Sequence, residues 1–128
     1  MNVSTQLHLK TLRDLLTYRL SELRADVHAA QLARQAASFE ASAEVVDRKD
    51  EAAGRESAAI DAAQEQRDRD ELEEVVAALH RLDVGSYGDC ASCGEPIALQ
   101  RLLVQPSALR CSACQTLREH AVGAARAV

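Results

Sequence analysis

Leu9, Leu12, Leu16, Leu20, Leu23, Val27 and Ala30 recur at intervals of three and four residues and draw one apolar stripe. Such a stripe predicts a helix with a single buried face. No Gly or Pro interrupts residues 1–53, so the helix is expected to run from about Val3 to about Val45. A second stripe, Leu72, Val75, Leu79 and Leu82, stops at Gly85. Extended backwards through Ala58, Ala59, Ile60, Ala62 and Ala63, it reaches about Asp50. The polar run Val46-Asp47-Arg48-Lys49-Asp50-Glu51 suits a tight turn between the two. Helices joined by a short loop pack as an antiparallel hairpin. At 1.5 Å per residue, arms of about 35–40 residues would be about 50–60 Å long. Leucines crowd the base and alanines the turn, so the arms are expected to approach closely at the tip.

The texture changes after Gly85. Residues 85–114 hold three of the five Gly, both Pro and all four Cys, which predicts compact irregular structure. From Cys111 onwards, Gln115, Leu117, Arg118, Glu119 and His120 read as a short C-terminal helix that frays by about Gly123. The expected architecture is all-α. A coiled-coil hairpin over residues 1–84, with its tip near 46–52, carries a small four-cysteine knob and a C-terminal helix over 85–128.

Composition supports a slender molecule. Two Tyr, one Phe and no Trp leave little mass for a broad core. The longest apolar run, Val75-Val76-Ala77-Ala78-Leu79, is far short of the roughly 20 residues a membrane helix needs. Met1 to Lys10 has no signal-peptide core. A cytoplasmic setting follows, in which thiols stay reduced.

The net charge of −5 is unevenly placed. Residues 1–39 carry five basic and three acidic side chains, 40–74 five and thirteen, and 75–128 five and four. So acidic a middle is poorly built to track phosphate backbones, which takes clustered Lys and Arg. A basic protein surface is the better-matched partner.

Cys90-x2-Cys93-x17-Cys111-x2-Cys114 has the spacing of a tetrahedral thiolate cage around one zinc ion. Gly94, directly after Cys93, permits the positive φ that such a turn often needs. Four protein ligands leave no position for water, which marks a structural zinc rather than a catalytic one. Disulfides or a redox-active dithiol are the alternatives, but no βαβ pattern accompanies the CxxC pairs. His8, His28, His80 and His120 are scattered and read as surface residues.

Asp47 and Asp50 fall at the turn, with Ala52 just beyond. Asp is a preferred N-cap residue and suits a helix N-terminus, which accounts for one of the pair. Two carboxylates at the end of a thin hairpin also suit a basic cleft or a bound cation.

Gly85-x-Tyr87-Gly88-x-Cys90-x2-Cys93-Gly94-x2-Ile97, followed by Arg101-Leu102, Pro106 and Cys111-x2-Cys114, resembles the DksA/TraR family of bacterial transcription regulators. The match is specific from about Glu71 to Glu119. It extends without gaps to Asp47-x2-Asp50-x-Ala52, which is similar to that family's coiled-coil tip motif. Upstream of about residue 40 only the helical pattern agrees, and the extra N-terminal segment of full-length members is expected to be missing. The resemblance implies direct binding to RNA polymerase, with the coiled coil inserted into the secondary channel and no contact with DNA. It also implies that Asp47, Asp50 and Ala52 face the polymerase active site. Members that act with the nucleotide ppGpp offer basic residues on the second helix and just after the last cysteine. Here Asp70, Glu71, Glu74 and Gln115 stand there, leaving Arg67 and Arg101 as basic contacts. Weak or absent ppGpp dependence is expected, because carboxylates repel a polyphosphate.

Other function classes fit less well. A zinc-ribbon nucleic-acid binder would need more than Arg101 and Arg110 between the outer cysteines. A thiol sensor that ejects zinc on oxidation is compatible with polymerase binding, since an exposed four-thiolate site can be oxidised, whereas a plain coiled-coil adaptor would make the tip dispensable; either is the alternative if the chain does not act on polymerase. No nucleophile–base pair, phosphate-binding glycine loop or open metal position suggests an enzyme.

Overall fold

Asn2 starts the first helix, α1 (Val3–Leu7), by accepting the Thr5 N–H on its side-chain oxygen at 2.8 Å. The computed structural model describes residues 1–43 and 48–127, with side chains described for 1–40 and 51–123. The long first helix expected from Val3 is interrupted at His8. The His8 ring donates from Nδ1 to the Ser4 carbonyl at 2.7 Å, while its backbone N–H turns to the Thr5 carbonyl at 3.0 Å. In an unbroken helix the Ser4 carbonyl would take that N–H, so the imidazole displaces one rung of the ladder.

The chain then continues as α2 (Leu9–Ala43). The next helix, α3 (Arg48–Val84), runs through Gly54 without a break and begins slightly earlier than expected. It stops where predicted. Gly85 adopts φ +83°, and the Ser86 N–H reaches back to the Arg81 carbonyl at 3.0 Å, a six-to-one closure of the last turn. Two further helices differ from the sequence expectation. α4 (Leu99–Val104) lies inside the segment expected to be irregular, and α5 (Ser112–Ala127) continues past Gly123 instead of fraying there. One isolated bridge, Asp89 to Pro96, is the only strand-like pairing among the described residues.

Contacts group the chain into two compact units, Met1–Arg19 with Glu74–Val128, and Leu20–Glu73. In the first, Leu12 and Leu16 of α2 are buried together with Val75 and Ala78 of α3 and with Tyr87, Ile97 and Leu102. Truncating a leucine in such a core costs about 2–5 kcal/mol. Arg13 Nη2 donates to Asp83 Oδ1 at 3.0 Å across the two helices. In the second unit Leu23 and Val27 are buried, and Arg34 Nε pairs with Glu65 Oε1 at 3.1 Å. Within each unit, then, a segment of α2 pairs with a segment of α3. The fold is an all-α hairpin of long paired helices with a clustered four-cysteine element.

Short of the tip, the alanine stretch does not close over a buried seam. Ala58 and Ala62 are exposed, and a cavity of about 480 Å³ lies among Ala29, Ala30, Ala33, Ala37, Ala58 and Ala62. Beside it sits Glu65, only 8% exposed and flanked by Arg34 and by Arg69, whose Nε donates to Oε2 at 3.1 Å. Methyl groups are too short to fill the seam, and a paired charge takes the position where a further leucine would close it.

Candidate metal centre and hairpin tip

Two short backbone structures aim the cysteines. In the first, Cys90 N–H donates to the Glu95 carbonyl at 2.8 Å, and Gly94 N–H donates to the Cys90 carbonyl at 2.9 Å. Gly94 at φ +77° makes the reversal possible. The second pair sits at the start of α5: Cys111 immediately precedes Ser112, its carbonyl accepts the Gln115 N–H at 2.9 Å, and Cys114 lies in the first turn. Ala91 N–H joins the two segments by donating to the Leu109 carbonyl at 2.9 Å.

Together these place the Sγ atoms of Cys90, Cys93, Cys111 and Cys114 within 4.8 Å of one another, with Cys93 and Cys111 at 3.9 Å. All four are free thiols; Cys90 is buried and Cys93 exposed. A regular tetrahedron of zinc–sulfur bonds near 2.3 Å has edges of about 3.8 Å, so the donor set fits zinc after a small contraction. The thiol chemistry points the same way. Backbone N–H groups of Cys111, Cys93 and Ser92 pull the Cys90 thiol down to about 6. Hydrogen bonding to the Cys111 and Cys90 sulfurs pushes Cys114 up to about 12. Four crowded sulfurs cannot all ionise side by side, and a divalent cation removes that conflict.

The cluster sits on a small core. Tyr87 is 1% exposed and donates its hydroxyl hydrogen to the Pro106 carbonyl at 2.8 Å. The N-terminal segment also reaches it. Gly88, at φ +87°, faces Thr5 Cγ2 and Met1, and the Met1 ammonium pairs with Asp89 beside Cys90.

The tip residues are described unevenly. Asp47 lies outside the described residues, Asp50 is described for its backbone alone, within α3, and Ala52 is an exposed residue of α3. Asp70 and Glu74 are exposed, and Glu71 is half-buried. Of the two basic candidates, Arg67 donates to Gln64 at 2.8 Å and Arg101 donates from Nε to the Arg110 carbonyl at 2.9 Å. Arg101 therefore has a structural employment that its spacing did not reveal. His28, His80 and His120 are exposed, and His8, half-buried, is the exception with a defined local role. No described helix is long and apolar enough to cross a membrane.

Comparison with known proteins agrees with this geometry. Residues 85–120 match the prokaryotic dksA/traR C4-type zinc finger. The RNA polymerase-binding transcription factor DksA of Haemophilus influenzae is 34% identical over 73 residues, covering 57% of this chain and 50% of that protein. Its namesake from Caulobacter vibrioides is 43% identical over 60 residues, 44% of this chain and 42% of that one. The matches thus span half or less of these curated relatives. The solved structure of the transcription factor DksA2 from Pseudomonas aeruginosa superposes with a TM-score of 0.68 at 30% identity, covering 87% of this chain and 82% of that one. A four-cysteine zinc-finger match and four converging thiols establish one structural zinc. The chain belongs to the DksA/TraR family.

Proposed function

We propose that this protein is a non-enzymatic, cytoplasmic transcription regulator that binds RNA polymerase directly. Cys90, Cys93, Cys111 and Cys114 hold the structural zinc. The connection between α2 and α3 enters the secondary channel, bringing Asp47, Asp50 and Ala52 towards the active site. There the two carboxylates perturb the charge around the catalytic metal, and the small side chain at 52 permits close packing. DNA is not contacted. The observation that carries this reading is the likeness to DksA2 over 87% of the chain, supported by relatives whose names describe polymerase binding.

Dependence on ppGpp is weak or absent in this reading. Support comes from the acidic stretch Asp70, Glu71 and Glu74 and from the internal hydrogen bond of Arg101. Transcription in vitro from a ribosomal-type and a biosynthetic-type promoter, with and without ppGpp, tests both parts. The protein is expected to bind polymerase and change promoter-complex lifetime similarly in both conditions. No polymerase binding would remove the reading; a large ppGpp-dependent effect would remove its second part.

A further inference from the structure

Only two basic residues lie between the outer cysteines, and both are held in defined contacts. Arg110, immediately before Cys111, donates from Nε to Ser92 Oγ at 3.1 Å. Ser92 lies inside the first cysteine pair. The Arg110 carbonyl is itself held by Arg101 Nε at 2.9 Å, and Arg101 belongs to α4. The Arg110 backbone is thus fixed to α4 while its side chain grips the opposite cysteine loop.

We propose that Arg110 is a positioning residue for the zinc: it latches the second cysteine loop to the first through Ser92 and slows metal loss. The inference rests on the assignment of the four cysteines as ligands. Zinc held by four thiolates carries a net charge of −2, and separation of one cysteine pair from the other is a route to its loss. The latch opposes that separation mechanically. The guanidinium also brings a positive charge to the loop that precedes Cys111, opposite in sign to a zinc–tetrathiolate centre. Ala91 N–H to the Leu109 carbonyl supports the same join from the backbone, so the side-chain latch adds to an existing seam. Sequence spacing assigns no such role to Arg110, because the contact crosses 18 residues.

The test is zinc transfer from the zinc-loaded chain to an excess of chromogenic chelator. Arg110→Ala should release zinc about five- to tenfold faster, in keeping with the loss of one net hydrogen bond between the two loops. Ser92→Ala should accelerate release in the same direction, and the double variant should be no faster than Arg110→Ala alone. Arg110→Lys, which keeps the charge, should fall between wild type and Arg110→Ala, and added salt should narrow the difference between those two. Wild-type release rates in Arg110→Ala and Ser92→Ala would overturn the latch, and so would additive effects in the double variant. If Arg110→Ala cannot be loaded, Ser92→Ala alone decides, since it keeps both backbone and charge. A wild-type chain holding no zinc would instead strike the ligand assignment, and the latch with it.

Discussion

Tyr87 donates its hydroxyl hydrogen to the Pro106 carbonyl at 2.8 Å, closing 19 residues that include the first cysteine pair and α4. Burial holds this phenol up at about 12 against an ordinary 10.0, with Arg81 pulling the other way. The folded chain therefore keeps a proton that the unfolded chain gives up. That stabilisation is complete below about pH 10 and is lost as pH rises through about 12. Tyr87→Phe is expected to cost about 1–2 kcal/mol at neutral pH, because the half-buried Pro106 carbonyl loses its donor. Its stability should also fall less steeply than wild type over the alkaline range. Denaturant unfolding of zinc-loaded protein at several pH values checks both, and identical alkaline slopes would contradict the assignment.

Gly85 and Gly88 both adopt positive φ, but their surroundings differ. A Cβ at Gly85 meets open space, whereas one at Gly88 meets Thr5 Cγ2 at 3.3 Å and Met1 Cγ at 3.4 Å. Gly85→Ala should cost only the backbone strain, about 1 kcal/mol. Gly88→Ala should cost more and should also loosen α1, seen as faster amide exchange there. Equal losses in the two variants would show that the N-terminal segment does not pack on Gly88.

The buried Glu65 makes a prediction that runs against its ion pairs. Replacing a buried ion pair by apolar side chains is often neutral or stabilising, and removing one partner is costly where it strands a buried charge. Neither Arg34 nor Arg69, the cations left behind by Glu65→Leu, is buried. Glu65→Leu should therefore unfold at the same or a higher temperature than wild type, filling space beside the alanine-lined cavity. Arg34→Ala should lose about 1–2 kcal/mol by leaving the carboxylate with Arg69 alone. Thermal unfolding of both variants is sufficient, and a strongly destabilised Glu65→Leu would contradict this view of the seam.

Much of this molecule is legible because its signals are local. The stripe from Leu9 to Ala30 turns its residues inward throughout, with Leu12, Leu16, Leu23 and Val27 buried. Gly85 ends α3 because a left-handed residue is what closes that turn, and each CxxC pair brings its own two sulfurs together locally, the first in a glycine-closed reversal and the second in the first turn of α5. What escaped the sequence depends on partners that spacing cannot show. His8 breaks a helix through a ring nitrogen on a carbonyl four residues back. The six residues of α4 are too few to display a period. Glu65 looks like one more solvated acid on a charged helix, and its burial follows only from the arrival of Arg34 from the other arm. The alanines promised close packing by their size, yet small side chains permit contact without enforcing it.

The proposed entry of the tip into the polymerase can be probed by photo-crosslinking from position 52. A benzophenone amino acid replacing Ala52 in the zinc-loaded chain should crosslink to polymerase segments lining the secondary channel, close to the active site. Asp47→Asn with Asp50→Asn should weaken polymerase binding while zinc content and helicity stay unchanged. Crosslinks confined to the outside of polymerase, or none at all from a chain that holds its zinc, would contradict the account.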